Sequence, residues 1–132
     1  MPEGRSFSYI AVYPGSFDPI TWGHVDIARR AKKLFQRLVV AVSAEPPKKT
    51  LFSAAERLRL AKEALKGEGV EVVLFKGLLV DFVRSVGAVA IVRGMRAVSD
   101  FEYEFKMAWM NRRLCPEVET VFLIPSEEYA YL

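Results

Sequence analysis

Tyr13-Pro14-Gly15-Ser16-Phe17-Asp18-Pro19-Ile20-Thr21-Trp22-Gly23-His24 is the stretch whose reading decides the fold. An apolar run at residues 9–12 precedes it, and Val25, Ile27, Ala28, Ala31, Leu34 and Phe35 follow at helical spacing. The stretch therefore reads as a strand-to-helix turn, a common place for a phosphate to be held. Gly15 and Gly23 lack a Cβ, so the backbone can take positive φ there and its N–H groups can approach a polyphosphate closely. Pro14 and Pro19 stiffen the segment between them. Gly23 and His24 are expected to open the helix, whose first N–H groups have no internal partner and carry about half a positive charge. His24 adds a side-chain donor at that point and Ser16 a hydroxyl. A lone histidine is more often structural than chemical; for His24 the strand and helix signals on both sides are the context that favours phosphate binding.

Outward from the turn, residues 38–42 form an unbroken apolar, β-branched run, the pattern of a strand covered on both faces. Pro46-Pro47-Lys48-Lys49-Thr50 is a polar loop, and Ser53-Ala54-Ala55-Glu56 is a capping box that starts a helix with Leu58, Ala61 and Leu65 on one face, ended by Gly67 and Gly69. Residues 70–75 read as a third strand, Gly77 as a turn, 79–86 as a short helix stopped by Gly87, and 88–92 as a fourth strand. Ser99-Asp100-Phe101-Glu102 is a second capping box, opening a helix that runs to Leu114 before Pro116. Residues 120–124 make a fifth strand, and 125–132 trail away from it. Strands alternating with helices predict an α/β fold: a doubly wound, open parallel sheet of five strands with right-handed crossovers.

The 132 residues suit a single domain, 1–132, and a content of 52% hydrophobic and 27% charged residues predicts a folded core rather than disorder. No apolar run approaches the roughly 18 residues of a membrane span, and Met1-Pro2-Glu3-Gly4-Arg5-Ser6 lacks a signal peptide's apolar stretch, so no membrane association and a cytoplasmic location are expected. One cysteine, Cys115, and one histidine, His24, exclude an internal disulfide and a Cys/His zinc set. No metal ligands are expected in the protein, and any metal arrives with the substrate. The net charge is +3, but Lys and Arg are interleaved with Glu, so a nucleic-acid partner is not expected. The chain stops on an apolar residue just after a strand end, which predicts that a C-terminal part is missing.

In an open parallel sheet the strand-to-helix loops all leave at the carboxyl edge, and ligands bind where the strand order reverses. That edge collects Ser16 and His24 after the first strand, Lys48 and Lys49 after the second, Leu78 and Leu79 after the third, Arg93 and Arg96 after the fourth, and Tyr129 after the fifth. An isolated Lys pair is usually a solvated loop, and Leu78 and Leu79 read equally as core or pocket wall. Arg-Gly-x-Arg after an apolar strand aims two guanidinium forks at the edge and suits a polyanion. The last long helix carries two apolar stripes, one through Phe101, Phe105 and Ala108 and one through Tyr103, Met107 and Met110. One stripe is expected on the sheet and the other at a homo-oligomer interface, or under the missing C-terminal segment.

The turn Gly15-Ser16-Phe17-Asp18-Pro19 with Thr21-Trp22-Gly23-His24 resembles the signature of the T/H-x-G-H nucleotidyltransferases, specifically bacterial phosphopantetheine adenylyltransferase. Pro47-Lys48-Lys49, Leu51-Phe52 with Glu56-Arg57, Arg93 through Glu104, and Met110-Asn111-Arg112 extend the likeness across residues 11–132. The resemblance implies a Rossmann-like fold and transfer of the adenylyl group of ATP to 4′-phosphopantetheine, giving dephospho-coenzyme A and pyrophosphate with Mg²⁺ assisting. It implies phosphopantetheine contacts at Ser16, Lys48, Leu79 and Arg93. It implies ATP contacts at Ser16, Phe17, His24, Gly94, Met95, Arg96, Glu104 and the segment Tyr129, Ala130, Tyr131 and Leu132. His24, Lys48 and Arg96 would stabilise the transition state, and the family's hexamer agrees with a second apolar stripe. Ser16 stands where the family often has Thr, and Trp22 where Asn is common. Two other readings stand beside this one: a related nucleotidyltransferase acting on nicotinamide mononucleotide or a small phosphorylated alcohol, and a nucleotide-binding module without catalysis.

Overall fold

The computed structural model describes residues 9–95 and 98–130. The elements alternate as β1 (Ile10–Gly15), α1 (Trp22–Leu34), β2 (Arg37–Ser43), α2 (Ala54–Ala64), β3 (Glu71–Phe75), α3 (Leu79–Ser85), β4 (Ala90–Gly94), α4 (Val98–Leu114), β5 (Glu119–Leu123) and α5 (Glu127–Ala130). The sheet is five-stranded and wholly parallel, in the order β3-β2-β1-β4-β5. Strand order thus reverses between β1 and β4, and in open parallel sheets ligands usually bind at the carboxyl edge beside such a reversal.

Alternate residues of the central strands feed two cores. Ala11, Tyr13, Val40 and Val42 pack with Val25, Ile27 and Ala28 of α1 and Ala61 of α2 on one side. Ile10, Val12, Val39 and Ala41 pack with Val80 and Val83 of α3 and with Cys115 and Val118 on the other. Burial on both faces explains why β1 and β2 read as continuous apolar runs.

Several expectations need correction. Neither Gly15 nor Gly23 has a positive φ; the positive value in this turn belongs to Phe17, at 47°, while Gly67, Gly69, Gly77 and Gly87 take the left-handed conformation in their turns. Gly15 is required for space: a Cβ there would stand 3.0 Å from Cε2 of the buried Phe17 ring. That ring is held edge-on by Tyr13 and His24, at centroid distances of 5.3 and 5.0 Å, and would have to shift by a few tenths of an ångström to make room. Gly15→Ala is therefore expected to destabilise the fold by about 1–3 kcal/mol, read as a lowered midpoint in thermal denaturation; an unchanged midpoint would show that the ring can shift.

At the C-terminal end, α4 already includes Val98, one residue before the expected cap position at Ser99. Residues 127–130 form the short α5 where a trailing segment was expected. The stripes of α4 are also differently placed. Glu104 is buried and Met107, Ala108 and Asn111 are half-buried, whereas Phe101, Tyr103, Phe105, Trp109 and Met110 are all exposed. The reason is Glu104, whose ion pair with Arg93 of β4 fixes the helix's rotation and turns the aromatic residues outward. Phe101, Phe105 and Trp109 then stack on one another at 5.4 and 5.5 Å.

Candidate active site

Helix α1 begins one residue before the expected Gly23-His24 start, at Trp22, with Thr21 as its N-cap. The Thr21 hydroxyl accepts from the backbone N–H of His24 at 3.3 Å, and the Thr21 backbone N–H donates to Nδ1 of His24 at 2.9 Å. The pair forms a capping box with histidine in the place usually held by Glu or Gln. A backbone N–H can only donate, so Nδ1 is the accepting nitrogen and, in the neutral ring, the proton sits on Nε2. The cap thus sets His24 as a donor at a helix N-terminus, where an anion is already favoured. Trp22, beside it, is exposed.

Ser16 lies half-buried in the turn after β1. Its carbonyl accepts from Nη1 of Arg57 at 2.8 Å. Asp18 accepts from the backbone N–H groups of Leu51 and Phe52 at 2.7 and 2.9 Å, tying the turn to the loop that carries Lys48 and Lys49. Both lysines are exposed.

Strands β1 and β4 pair through only Ala11↔Ala90 and Val12↔Ile91, against six pairs between β1 and β2. Beyond that point Arg93 bridges the gap. Its Nε and Nη2 donate to the two carboxylate oxygens of Glu104, each at 2.9 Å, and Nη1 donates to the Pro14 carbonyl at 3.1 Å. Burial works against the charge of Arg93, yet these bonds and the proximity of Glu104 outweigh it and raise its pKa. Arg93 belongs to β4 itself rather than to the loop after it, and much of its fork is committed to Glu104 and the Pro14 carbonyl. Gly94 ends β4 against α1, where a Cβ would stand 3.2 Å from Cγ1 of Ile27. Met95 donates its N–H to Leu123.

Tyr129 lies near the start of α1: a Cβ on Gly23 would stand 3.8 Å from its Cβ. The segment after β5 is fastened there by Asp26, which accepts from the N–H and hydroxyl of Ser126, and by Arg30, which donates to the Ile124 carbonyl. Phe17 and His24 are thus in ring contact beyond the end of β1, Arg93 joins Glu104 to the Pro14 carbonyl, Gly94 lies against Ile27 of α1 and Tyr129 lies beside Gly23, with Ser16, Met95 and Ala130 on adjoining backbone. Leu79 opens α3 and packs on the core opposite α1, while Leu78 is exposed. Arg96, Tyr131 and Leu132 lie outside the described residues.

Sequence reasoning assigned no role to Asp18, Thr21, Asp26 or Arg57. For Arg57 a signal existed: it lies four and eight residues before Ala61 and Leu65, on the buried face of α2, and its own exposure is 1%.

Residues 12–132 match the cytidylyltransferase-like family model. Over 124 residues the chain is 60% identical to the phosphopantetheine adenylyltransferase of Thioalkalivibrio sulfidiphilus, covering 93% of this chain and 78% of that protein. The chain belongs to the phosphopantetheine adenylyltransferase family. A second member, from Alkalilimnicola ehrlichii, is 59% identical over 126 residues, covering 93% of this chain and 72% of that one. A solved lipopolysaccharide core biosynthesis protein from Thermoplasma volcanium superimposes with a TM-score of 0.63 at 21% identity, over 89% of this chain and 96% of its own, a likeness of fold. The β1-turn-α1 unit described above therefore lies within a phosphopantetheine adenylyltransferase.

Proposed function

We propose that this chain transfers the adenylyl group of ATP to 4′-phosphopantetheine, forming dephospho-coenzyme A and pyrophosphate as a step of coenzyme A synthesis. The observation that carries the proposal is the 60% identity, over 124 residues and 93% of this chain, to a phosphopantetheine adenylyltransferase. In this reaction a phosphate oxygen of phosphopantetheine attacks the α-phosphorus of ATP, and the bond to the β-phosphate breaks as pyrophosphate leaves. No protein nucleophile is needed, so the work of the site is in-line positioning and neutralisation of charge.

The α1 N-terminus and the Nε2 proton of His24 serve the phosphates. Ser16, Lys48 and Arg93 serve the phosphopantetheine phosphate, with Leu79 as a wall. Gly94, Met95, Arg96, Glu104 and the segment from Tyr129 to Leu132 serve ATP, and Phe17 holds His24 in place. Among the described residues no group of three or more His, Cys, Asp or Glu could hold a metal ion. In this reading Mg²⁺ is brought with ATP, whose phosphate charge it would offset.

The exposed aromatic row on α4 supports a homo-oligomer, a hexamer by likeness to the family. A cytoplasmic location belongs to this reading; among the described residues no helix is long and apolar enough to cross a membrane.

Pyrophosphate release from Mg-ATP with 4′-phosphopantetheine, run beside nicotinamide mononucleotide and glycerol 3-phosphate, tests the reading. Release with phosphopantetheine alone is expected. Release with either of the other acceptors instead would move the chain to a different substrate class, and ATP binding without release from any of them would make it a binding module.

A further inference from the structure

We propose that Arg57 is a positioning residue that locks the two phosphate-facing loops of the site into one body, an inference that rests on the adenylyl-transfer reading above. Its guanidinium is buried, and the acceptors around it are backbone carbonyls from three segments. Nη1 donates to Ser16 at 2.8 Å and to Ser43 at 2.7 Å, Nε to Phe52 at 3.1 Å, and Nη2 to Ala44 at 3.3 Å. Ser16 belongs to the turn after β1. Ser43 and Ala44 begin, and Phe52 ends, the loop that carries Lys48. Asp18 supplies the opposing strut by accepting from Leu51 and Phe52. Asp18 of the turn thus grips the backbone of the Lys48 loop, while Arg57 of α2 grips the backbone of both.

Burying a cation is costly, and an apolar side chain of similar size would fill the same space without that cost. What an apolar residue cannot do is hold carbonyls of three segments in a fixed fan, which the planar guanidinium does and a point-charge ammonium does only in part. None of the bonds made by Arg57 and Asp18 reaches β4, α4 or α5. The brace therefore governs the half of the crevice that holds Ser16 and Lys48, and leaves the half that holds Gly94, Glu104 and Tyr129 to the Arg93 bridge.

The test compares wild-type protein with Arg57→Lys and Asp18→Asn. Amide hydrogen exchange is measured without substrate, calorimetric titration separately with Mg-ATP and with 4′-phosphopantetheine, and pyrophosphate release with both. Faster exchange is expected in residues 14–18 and 44–53, with β4 and α3 unchanged. The kcat/KM for phosphopantetheine is expected to fall roughly tenfold or more, since misplacement of a binding group by about 1 Å can cost that much or more, while ATP affinity stays within about threefold. Exchange that rises evenly across the chain, or equal losses for both ligands, would make Arg57 an ordinary core residue and overturn the proposal. So would variants indistinguishable from wild type. If the wild-type chain releases no pyrophosphate with any acceptor, the adenylyl-transfer reading falls and the catalytic role of the brace with it, whereas the exchange pattern still decides whether the brace exists.

Discussion

Replacing His24 by alanine is expected to lower turnover roughly a hundredfold or more, the usual scale for losing one donor aimed at transition-state charge. The expectation follows from the cap of α1. Because the Thr21 N–H occupies Nδ1, the ring enters the reaction with its donor already chosen and its orientation set, and needs no rearrangement as charge grows on the α-phosphoryl oxygens. The substitution also removes the side-chain half of the capping box, at a cost of about 1 kcal/mol in stability, too little to unfold a domain of ordinary stability. Rate and folding are therefore separable: turnover should collapse while the melting midpoint shifts by a few degrees. His24→Gln, whose amide can still donate, should recover part of the rate. Single-turnover pyrophosphate release would check both variants, and near-normal turnover in His24→Ala would remove the assigned role.

Arg93→Met is expected to lower the stability of the fold substantially. It leaves the Glu104 carboxylate, whose side chain is 11% exposed, without its bidentate partner, and leaves the Pro14 carbonyl without a donor. Breaking a fully buried pair costs about 3–5 kcal/mol; with the Arg93 side chain 31% exposed, water can reach part of the site, and about 2 kcal/mol is the better expectation. For a domain of this size that lowers the melting midpoint by roughly 5–10 °C. The double variant Arg93→Met with Glu104→Met should regain most of the stability, since two apolar side chains can fill the space of a buried ion pair. It should not regain activity, because both residues stand at the crevice as expected substrate contacts. A double variant as unstable as the single one would show that the pair is not the source of the loss.

The order of elements and the reversal between β1 and β4 were legible because buried parallel strands announce themselves as apolar runs and the helices between them carry their own stops. The Ser53 cap was equally plain: its hydroxyl and Glu56 exchange bonds as the spacing predicts. The rotation of α4 was not legible, since Glu104 faces inward only because Arg93, eleven residues earlier, sits on the neighbouring strand. An apolar stripe drawn from periodicity alone cannot know that a carboxylate outranks its aromatic neighbours. The positive φ fell on Phe17 rather than a glycine because ring packing over Gly15 set the turn. Arg57 was hidden for a similar reason: its partners are backbone carbonyls, which leave no mark in a list of side chains.

The short seam between β1 and β4 also bears on how the molecule is made. Strands β1, β2 and β3 are neighbours in both chain and sheet, so the turn with Ser16 and His24 and the braced Lys48 loop can assemble while the remainder is still being synthesised. Joining β4 to β1 instead closes a stretch that separates Ala11 from Ala90, rewarded by a two-pair ladder and the Arg93 bridge to Pro14. That step is expected to be the slow one, and an early chain would present an unpaired edge of β1 until it is complete.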